Sequence, residues 1–335
     1  MKASYRKKIL NFKQASGTSR GVLHSKETFI LTIENGDKKG IGECALFRGL
    51  SSDDRPDYEQ KLQWLCNNIN ESADALKEEL RSFPSIWIGY EQAMKNLENG
   101  GDLYFPSPFT DGDGAIRING LIWMGRPDFM RSQIQDKLDQ GFYCIKLKIG
   151  VDWNTEREIL RELRRDFPAD RLQLRVDANG GFGFEEAKTV LEELAALEIH
   201  SIEQPIKAGT PGLMAELCAE TPTPIALDEE LIGINNLDEK ERLLKTIQPQ
   251  YIILKPSLHG GFSGSDEWID LAEENGIGWW ITSALESNIG LNAIAQFTFT
   301  KKNPMPQGLG TGALFTNNFQ SNLKLEGDLL SYQKR

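Results

Sequence analysis

Thiols, imidazoles and long apolar runs are all scarce in this 335-residue chain, and each scarcity removes a class of function. The four cysteines, Cys44, Cys66, Cys144 and Cys218, form no CxxC pair, which argues against a zinc site or a disulfide framework and for a reducing compartment. The three histidines, His24, His200 and His259, stand near no cysteine and no nucleophile pattern. No stretch approaches the roughly 18 apolar residues that span a bilayer. The opening "MKASYRKKILNFKQ" is basic but lacks the apolar core of a signal sequence, so a soluble, cytoplasmic protein is expected. Excess positive charge is missing too: 38 Lys and Arg face 49 Asp and Glu, a net charge of −11, which repels nucleic-acid phosphate and anionic membrane alike. With 39% hydrophobic and 26% charged residues, the chain is an ordinary globular protein of about two domains. Its expected partner is a small molecule; nothing in the sequence speaks to the oligomeric state.

What the chain does have is an ordered succession of strands and helices. Residues 28–47, "TFILTIENGDKKGIGECALF", read as two strands joined at Asn35-Gly36, a strong hairpin signal. Residues 57–81 and 85–98 carry helical patterning, and the Gly-, Pro- and Asp-rich "NGGDLYFPSPFTDGDGAIRING" reads as a connection. After it come seven strands, "IRINGLIW", "CIKLKIG", "LQLRVDAN", "SIEQPI", "PIALDEE", "YIILKPS" and "GWWITSALES", with "MPQGLGTGA" as a weaker eighth. Helical segments at 155–166, 184–197, 211–220, 237–246, 263–275 and 287–300 alternate with them. Repeated strand-then-helix units make a parallel sheet, and about eight of them close a barrel. The expected class is α/β: a (β/α)7–8 TIM-like barrel over 106–315 with an α+β capping domain over 1–105, to which the tail 316–335 returns.

Strand alternation sends residues i and i+2 to one face. Ile145, Leu147 and Ile149 then point towards the surrounding helices, and Cys144, Lys146 and Lys148 into the barrel. Leu172, Leu174 and Val176 oppose Arg175 and Asp177; Ile225 and Leu227 oppose Ala226 and Asp228; Ile252 and Leu254 oppose Ile253 and Lys255. The polar strand ends Lys148, Asp177, Glu203, Asp228 and Lys255 stand 25 to 29 residues apart, the length of one strand, one helix and two loops. Charges inside a barrel are costly unless paired or metal-bound, and the C-terminal strand ends are where barrel enzymes carry their chemistry. Three carboxylates, Asp177, Glu203 and Asp228, suit a hard divalent cation, Mg²⁺ or Mn²⁺. Lysines on either side suit a small-molecule carboxylate whose α proton one of them moves while the cation holds the developing enediolate. Lys148 is the expected base, with Lys146 tuning it.

These residues resemble the enolase superfamily. "KLK", "VDANGG", "IEQP", "LDEE" and "LKPSLHGG" occur in its order at barrel spacing, and the likeness covers nearly the whole chain. The paired lysines are similar to those of the muconate-lactonizing subgroup, and "GIGECALFRGLS", "LDEEL", "TSALESNIG" and "GLGTGALF" resemble its o-succinylbenzoate synthase family. The resemblance implies syn dehydration of 2-succinyl-6-hydroxy-2,4-cyclohexadiene-1-carboxylate to 2-succinylbenzoate in menaquinone biosynthesis. It implies Lys148 as acid and base, Lys255 on the opposite ring face, Asp177, Glu203 and Asp228 on the metal, and Asn179 and Glu229 orienting those ligands. It further implies that Ser283 and the backbone at Gly308 and Gly310 receive the succinyl tail, and that residues 15–27 form a loop that closes over the site.

Other readings stand beside this one. A dipeptide or N-acyl amino-acid epimerase of the same subgroup would use Lys148 and Lys255 as two bases, although "GLGTGALF" lacks an acid to hold a substrate ammonium. A non-catalytic barrel would bind without turnover, yet no lysine or carboxylate of the five is missing. Taken singly, Asp177 before Asn179-Gly180 could start a turn, Lys146 and Lys148 could mark an edge strand, and Glu203 and Asp228 could be exposed loop residues. Trp279 and Trp280 read as core or pocket wall, and His259 as a turn or surface residue.

Overall fold

The computed structural model describes residues 1–18 and 21–334, with the side chains of 14–22 outside the description. It opens on a three-stranded antiparallel sheet, β1 (Lys2–Thr18), β2 (Gly21–Asn35) and β3 (Lys38–Cys44). The Asn-Gly signal marks a true two-residue turn: Asn35 pairs with Lys38, and Gly36 takes the left-handed φ of 60° that such a turn requires. The expected loop at 15–27 is instead mostly hairpin arm, with Ser16, Gly17 and Thr18 opposite Leu23, Val22 and Gly21 after a register shift. Pairing satisfies the backbone groups that a loop leaves to water. Residues 19–20, and the side chains of 14–22 on which closure over the site would depend, lie outside the described residues.

Phe29, Leu31 and Ile33, alternating along β2, turn one face of this sheet onto α1 (Tyr58–Asn67), α2 (Ala73–Glu79) and α3 (Pro84–Asn99), making one core with Leu62, Leu65 and Ile86. Glycine lets α3 come close: a Cβ at Gly42 would lie 2.0 Å from the Gly89 carbonyl oxygen. A short α4 (Pro108–Asp111) leads to β4 (Ala115–Arg117) and β5 (Gly120–Ile122). The segment "IRINGLIW", expected as one strand, is therefore two. Its backbone changes partner at Ile118, whose N–H donates to the Asp328 carbonyl, and Asn119, whose N–H donates to that of Gln307.

From β5 the chain alternates regularly. It runs through α5 (Pro127–Asp139), β6 (Cys144–Lys148), α6 (Trp153–Asp166), β7 (Gln173–Asp177), α7 (Phe184–Ala196) and β8 (Ser201–Glu203). It continues with α8 (Pro211–Glu220), β9 (Ile225–Leu227), α9 (Leu237–Ile247), β10 (Tyr251–Leu254), α10 (Gly261–Glu274), β11 (Gly278–Ile281) and α11 (Asn288–Thr300). Strands β5 to β11 form one parallel sheet in chain order. The weak eighth candidate is a two-residue bridge: Gln307 pairs with Ile118 and Gly308 with Thr282, both in parallel, and so joins the two edges of the sheet. The tail first runs beside β1, where Phe315 bridges Phe12. It then folds as β12 (Leu323–Glu326) and β13 (Leu329–Tyr332), with β13 pairing β4. Among the described residues, no helix is long and apolar enough to cross a membrane.

The alternation read from the sequence matches the packing. Ile145, Leu147, Leu174, Val176, Ile225, Leu227, Ile252 and Leu254 join the helices in the large core, whereas Ala226, Ile253 and Trp280 cluster separately inside the ring. The ring's lower interior is filled by Arg175, whose guanidinium lies 4.2 Å from the Trp280 ring centroid and donates to the Pro306 carbonyl at 2.9 Å. Trp279 packs outward with the helices.

Candidate active site

Strand register places the charged residues at one level. Lys148 pairs with Asp177, Asp177 with Glu203, and Glu203 with Ala226, while Asp228 and Lys255 follow one residue after β9 and β10. Asp177, Glu203 and Asp228 are all buried. The Lys146 ammonium lies 2.7 Å from Glu203 and 3.4 Å from Asp177. Lys148 lies 2.8 Å from Asp177 and donates to Asn179 Oδ1 at 2.8 Å, and Lys255 pairs with Asp228. Among the described residues, no three acid, imidazole or thiol groups close a coordination cage as they stand; the ammonium groups lie among the carboxylates instead.

The turn after β7 shows how the sequence builds this rim. Asn179 takes the left-handed φ of 46°, which asparagine tolerates. Its N–H donates to Asp177 Oδ1 at 3.2 Å, and its side-chain amide donates to Glu229 Oε1 at 3.1 Å. Asp177 thus starts a turn and faces the site at once, so the two readings of that residue were not alternatives. Gln204 of "IEQP" ties neighbouring strand ends: its Oε1 accepts the N–H groups of Asp228 and Glu230, each at 3.2 Å.

Electrostatics follow from burial and the crowding of opposite charges. Burial pushes Asp177 up, but the adjacent Lys148 and Lys146 charges outweigh it and hold the carboxyl below its usual range. Burial, reinforced by the Asp177 charge, raises Glu203 to about 8, and burial also raises Asp228. For Lys146 and Lys255 burial works downward, yet the surrounding carboxylates more than offset it, so both are raised. Asp228 Oδ1 is buried with no hydrogen-bond partner. An all-oxygen set of three acids on adjoining strand ends, one with an unused lone pair and one driven towards protonation, fits a hard divalent cation.

Above the rim lies a cavity of about 360 Å³ lined by Lys146, Lys148, Asp177, Asn179, Glu203, Glu229 and Lys255 on its polar side. Ser283, Gly308 and Gly310 also line it, so every residue expected at the site reaches the cavity except Asp228, whose carboxylate pairs with Lys255. A Cβ at Gly308 would lie 2.1 Å from Thr282 Oγ1, which keeps that wall thin. Phe47 and Leu50 from the segment after β3 and Trp123, Leu285 and Leu314 from the barrel supply apolar wall; none was singled out from the sequence, where an isolated apolar residue carries no signal. His259, expected at a turn or the surface, is wholly buried, and its Nδ1 accepts the Lys255 N–H at 3.0 Å. Burial lowers its pKa well below the usual value, so it serves as a neutral brace.

Residues 130–327 match the family described as "Enolase C-terminal domain-like". The chain is 44% identical to the o-succinylbenzoate synthase of Desulfotalea psychrophila, covering 98% of each. The chain belongs to the enolase superfamily. Among superfamily structures, the crystal structure of MenC from Desulfotalea psychrophila superposes with a TM-score of 0.88 at 41% identity and covers 99% of both chains. The L-Ala-D/L-Glu epimerase of Bacillus subtilis superposes with a TM-score of 0.85 at 21% identity, a likeness of fold alone.

Proposed function

We propose that this chain is an o-succinylbenzoate synthase of menaquinone biosynthesis, a lyase that dehydrates 2-succinyl-6-hydroxy-2,4-cyclohexadiene-1-carboxylate to 2-succinylbenzoate. The observation that carries the reading is a single cavity into which Lys148 and Lys255 both reach, from strands β6 and β10, with the carboxylates of the three strands between them. In this reading residues 106–315 act as the barrel and residues 1–105 with the 316–335 tail as its cap. Four unpaired, buried cysteines support a cytoplasmic setting.

Asp177, Glu203 and Asp228 would hold Mg²⁺ or Mn²⁺, which when bound supplies Lewis-acid stabilisation to a substrate carboxylate. As general base Lys148 takes the α proton; the resulting ammonium returns it to the departing hydroxyl on the same ring face, so water leaves and the lysine is restored. Asn179 and Asp177 aim Lys148 through their two contacts with its Nζ. Lys255, anchored by Asp228 and braced by His259, faces the other side, where a cation favours the delocalised ring. Phe47 and Trp123 keep water from that ring.

The test is turnover of the cyclohexadiene carboxylate by purified protein with Mg²⁺, followed by ultraviolet absorbance, with Lys148→Ala alongside. A loss of at least ~10³-fold in kcat with the fold retained is expected for the variant. Wild-type protein that leaves this compound untouched but epimerises N-succinyl amino acids or dipeptides would move the assignment to the epimerases. Lys148→Ala with more than a few per cent of kcat would remove Lys148 from the base role.

A further inference from the structure

Two buried charged residues outside that machinery meet where cap strand and barrel join: Lys26 shares a face of β2 with Thr28, Thr28 Oγ1 donates to Glu43, and Glu43 accepts from Ser287, the neighbour of Glu286. Lys26, on β2, is 6% exposed, and its ammonium has no hydrogen-bond partner. Burial lowers its pKa, and the charges acting against this are those of Glu43 and Glu286. Glu286 is wholly buried in the loop after β11. Its Oε1 accepts from Ser257 Oγ at 2.5 Å, and its Oε2 accepts from Ser283 Oγ at 2.6 Å and from the Ala284 N–H at 2.7 Å. Ser257 lies two residues after Lys255, and Ser283 lines the cavity. Glu286 therefore ties the loop that carries Lys255 to the loop that carries Ser283.

We infer that Glu286, with Lys26 as its counter-charge from the cap, is a positioning residue that sets the Lys255 and Ser283 loops for a dicarboxylate substrate. The roles of Lys255 and Ser283 rest on the function proposed above; the contacts do not. Every oxygen of Glu43 and Glu286 already accepts at least one donor, so Lys26 acts through its field and not through a direct pair. A carboxylate out of water needs such a charge. Deprived of it, the buried carboxylate holds its three donors less firmly, and the hydrogen bonds from Ser257, Ser283 and Ala284 loosen. Docking of the cap and the shape of the tail subsite are thereby linked.

The experiment is amide hydrogen exchange on the free full-length protein, comparing wild type with Lys26→Met, Lys26→Arg and Glu286→Gln. Lys26→Met and Glu286→Gln are expected to speed exchange about tenfold in the peptide covering 282–287, leave α7 unchanged, and find Lys26→Arg close to wild type. A matching rise in KM for the cyclohexadiene carboxylate, larger than the fall in kcat, is expected in the same two variants. Unchanged exchange at 282–287, or equal acceleration throughout the chain, overturns the inference. If Lys26→Met does not fold, Glu286→Gln carries the same expectation and the same refutation. Wild-type protein without dehydratase activity would defeat the proposed function while the exchange result still decides this one.

Discussion

Glu43 joins two parts of the chain that no local pattern connects, and replacing it with glutamine measures that join. Its carboxylate, wholly buried, accepts from Thr28 Oγ1 at 2.8 Å, from the Ser287 N–H at 2.9 Å, from Ser287 Oγ at 2.5 Å and from the Gly290 N–H at 2.9 Å. Ser287 and Gly290 open α11, so an anion from β3 occupies the positive end of a barrel helix. Glutamine keeps the shape but offers one acceptor oxygen in place of two. Hydroxyl donors can rotate to accept from the new amide; a backbone N–H cannot. At least one of the two N–H groups is left facing a donor, at ~1–3 kcal/mol, and the lost charge at the helix terminus adds ~1 kcal/mol. Glu43→Gln is thus expected to lower stability by ~2–4 kcal/mol in urea unfolding at neutral pH. A loss below ~1 kcal/mol with an unchanged urea slope would refute the reasoning.

Three further outcomes follow from the contacts above. Asn179→Ala removes the acceptor of Lys148 and the donor to Glu229; activity is expected to fall ~10–100-fold while stability falls by only the ~1–2 kcal/mol of alanine at a left-handed φ, and a folded variant with undiminished kcat would make Asn179 merely structural. Glu91 accepts the N–H groups of Phe262 and Ser263 at the start of α10, and burial outweighs these bonds to raise its pKa from 4.5 to about 7. A raised carboxyl binds its proton more tightly folded than unfolded, so its contribution is full below pH 4.5 and is lost as pH rises towards about 7, by up to ~3 kcal/mol. Glu91→Gln should flatten that slope, and a slope equal to wild type would contradict it. Chelation with EDTA is expected to stop α-proton exchange without changing circular dichroism, with recovery on adding Mg²⁺; exchange that survives chelation would set the metal aside.

The amino-acid sequence alone determined which way the residues of β6, β7, β9 and β10 point and where those strands end, because alternation and helical periodicity are local properties of a chain. Lys148, Asp177, Glu203, Asp228 and Lys255 were legible for that reason: a polar residue ending an apolar run recurs at barrel spacing. Strand β1, basic and irregular, and helix α5, polar over most of its length, were not legible, since neither carries a clean apolar stripe. The tertiary structure alone decided which lysine meets which acid, that "IRINGLIW" divides between two sheets, and that His259 turns inward to hold Lys255. It also decided that Glu43 caps a helix 244 residues away. Such contacts depend on how separate elements close on one another, and the entropy of closing a long loop grows too slowly with its length to leave a mark in composition.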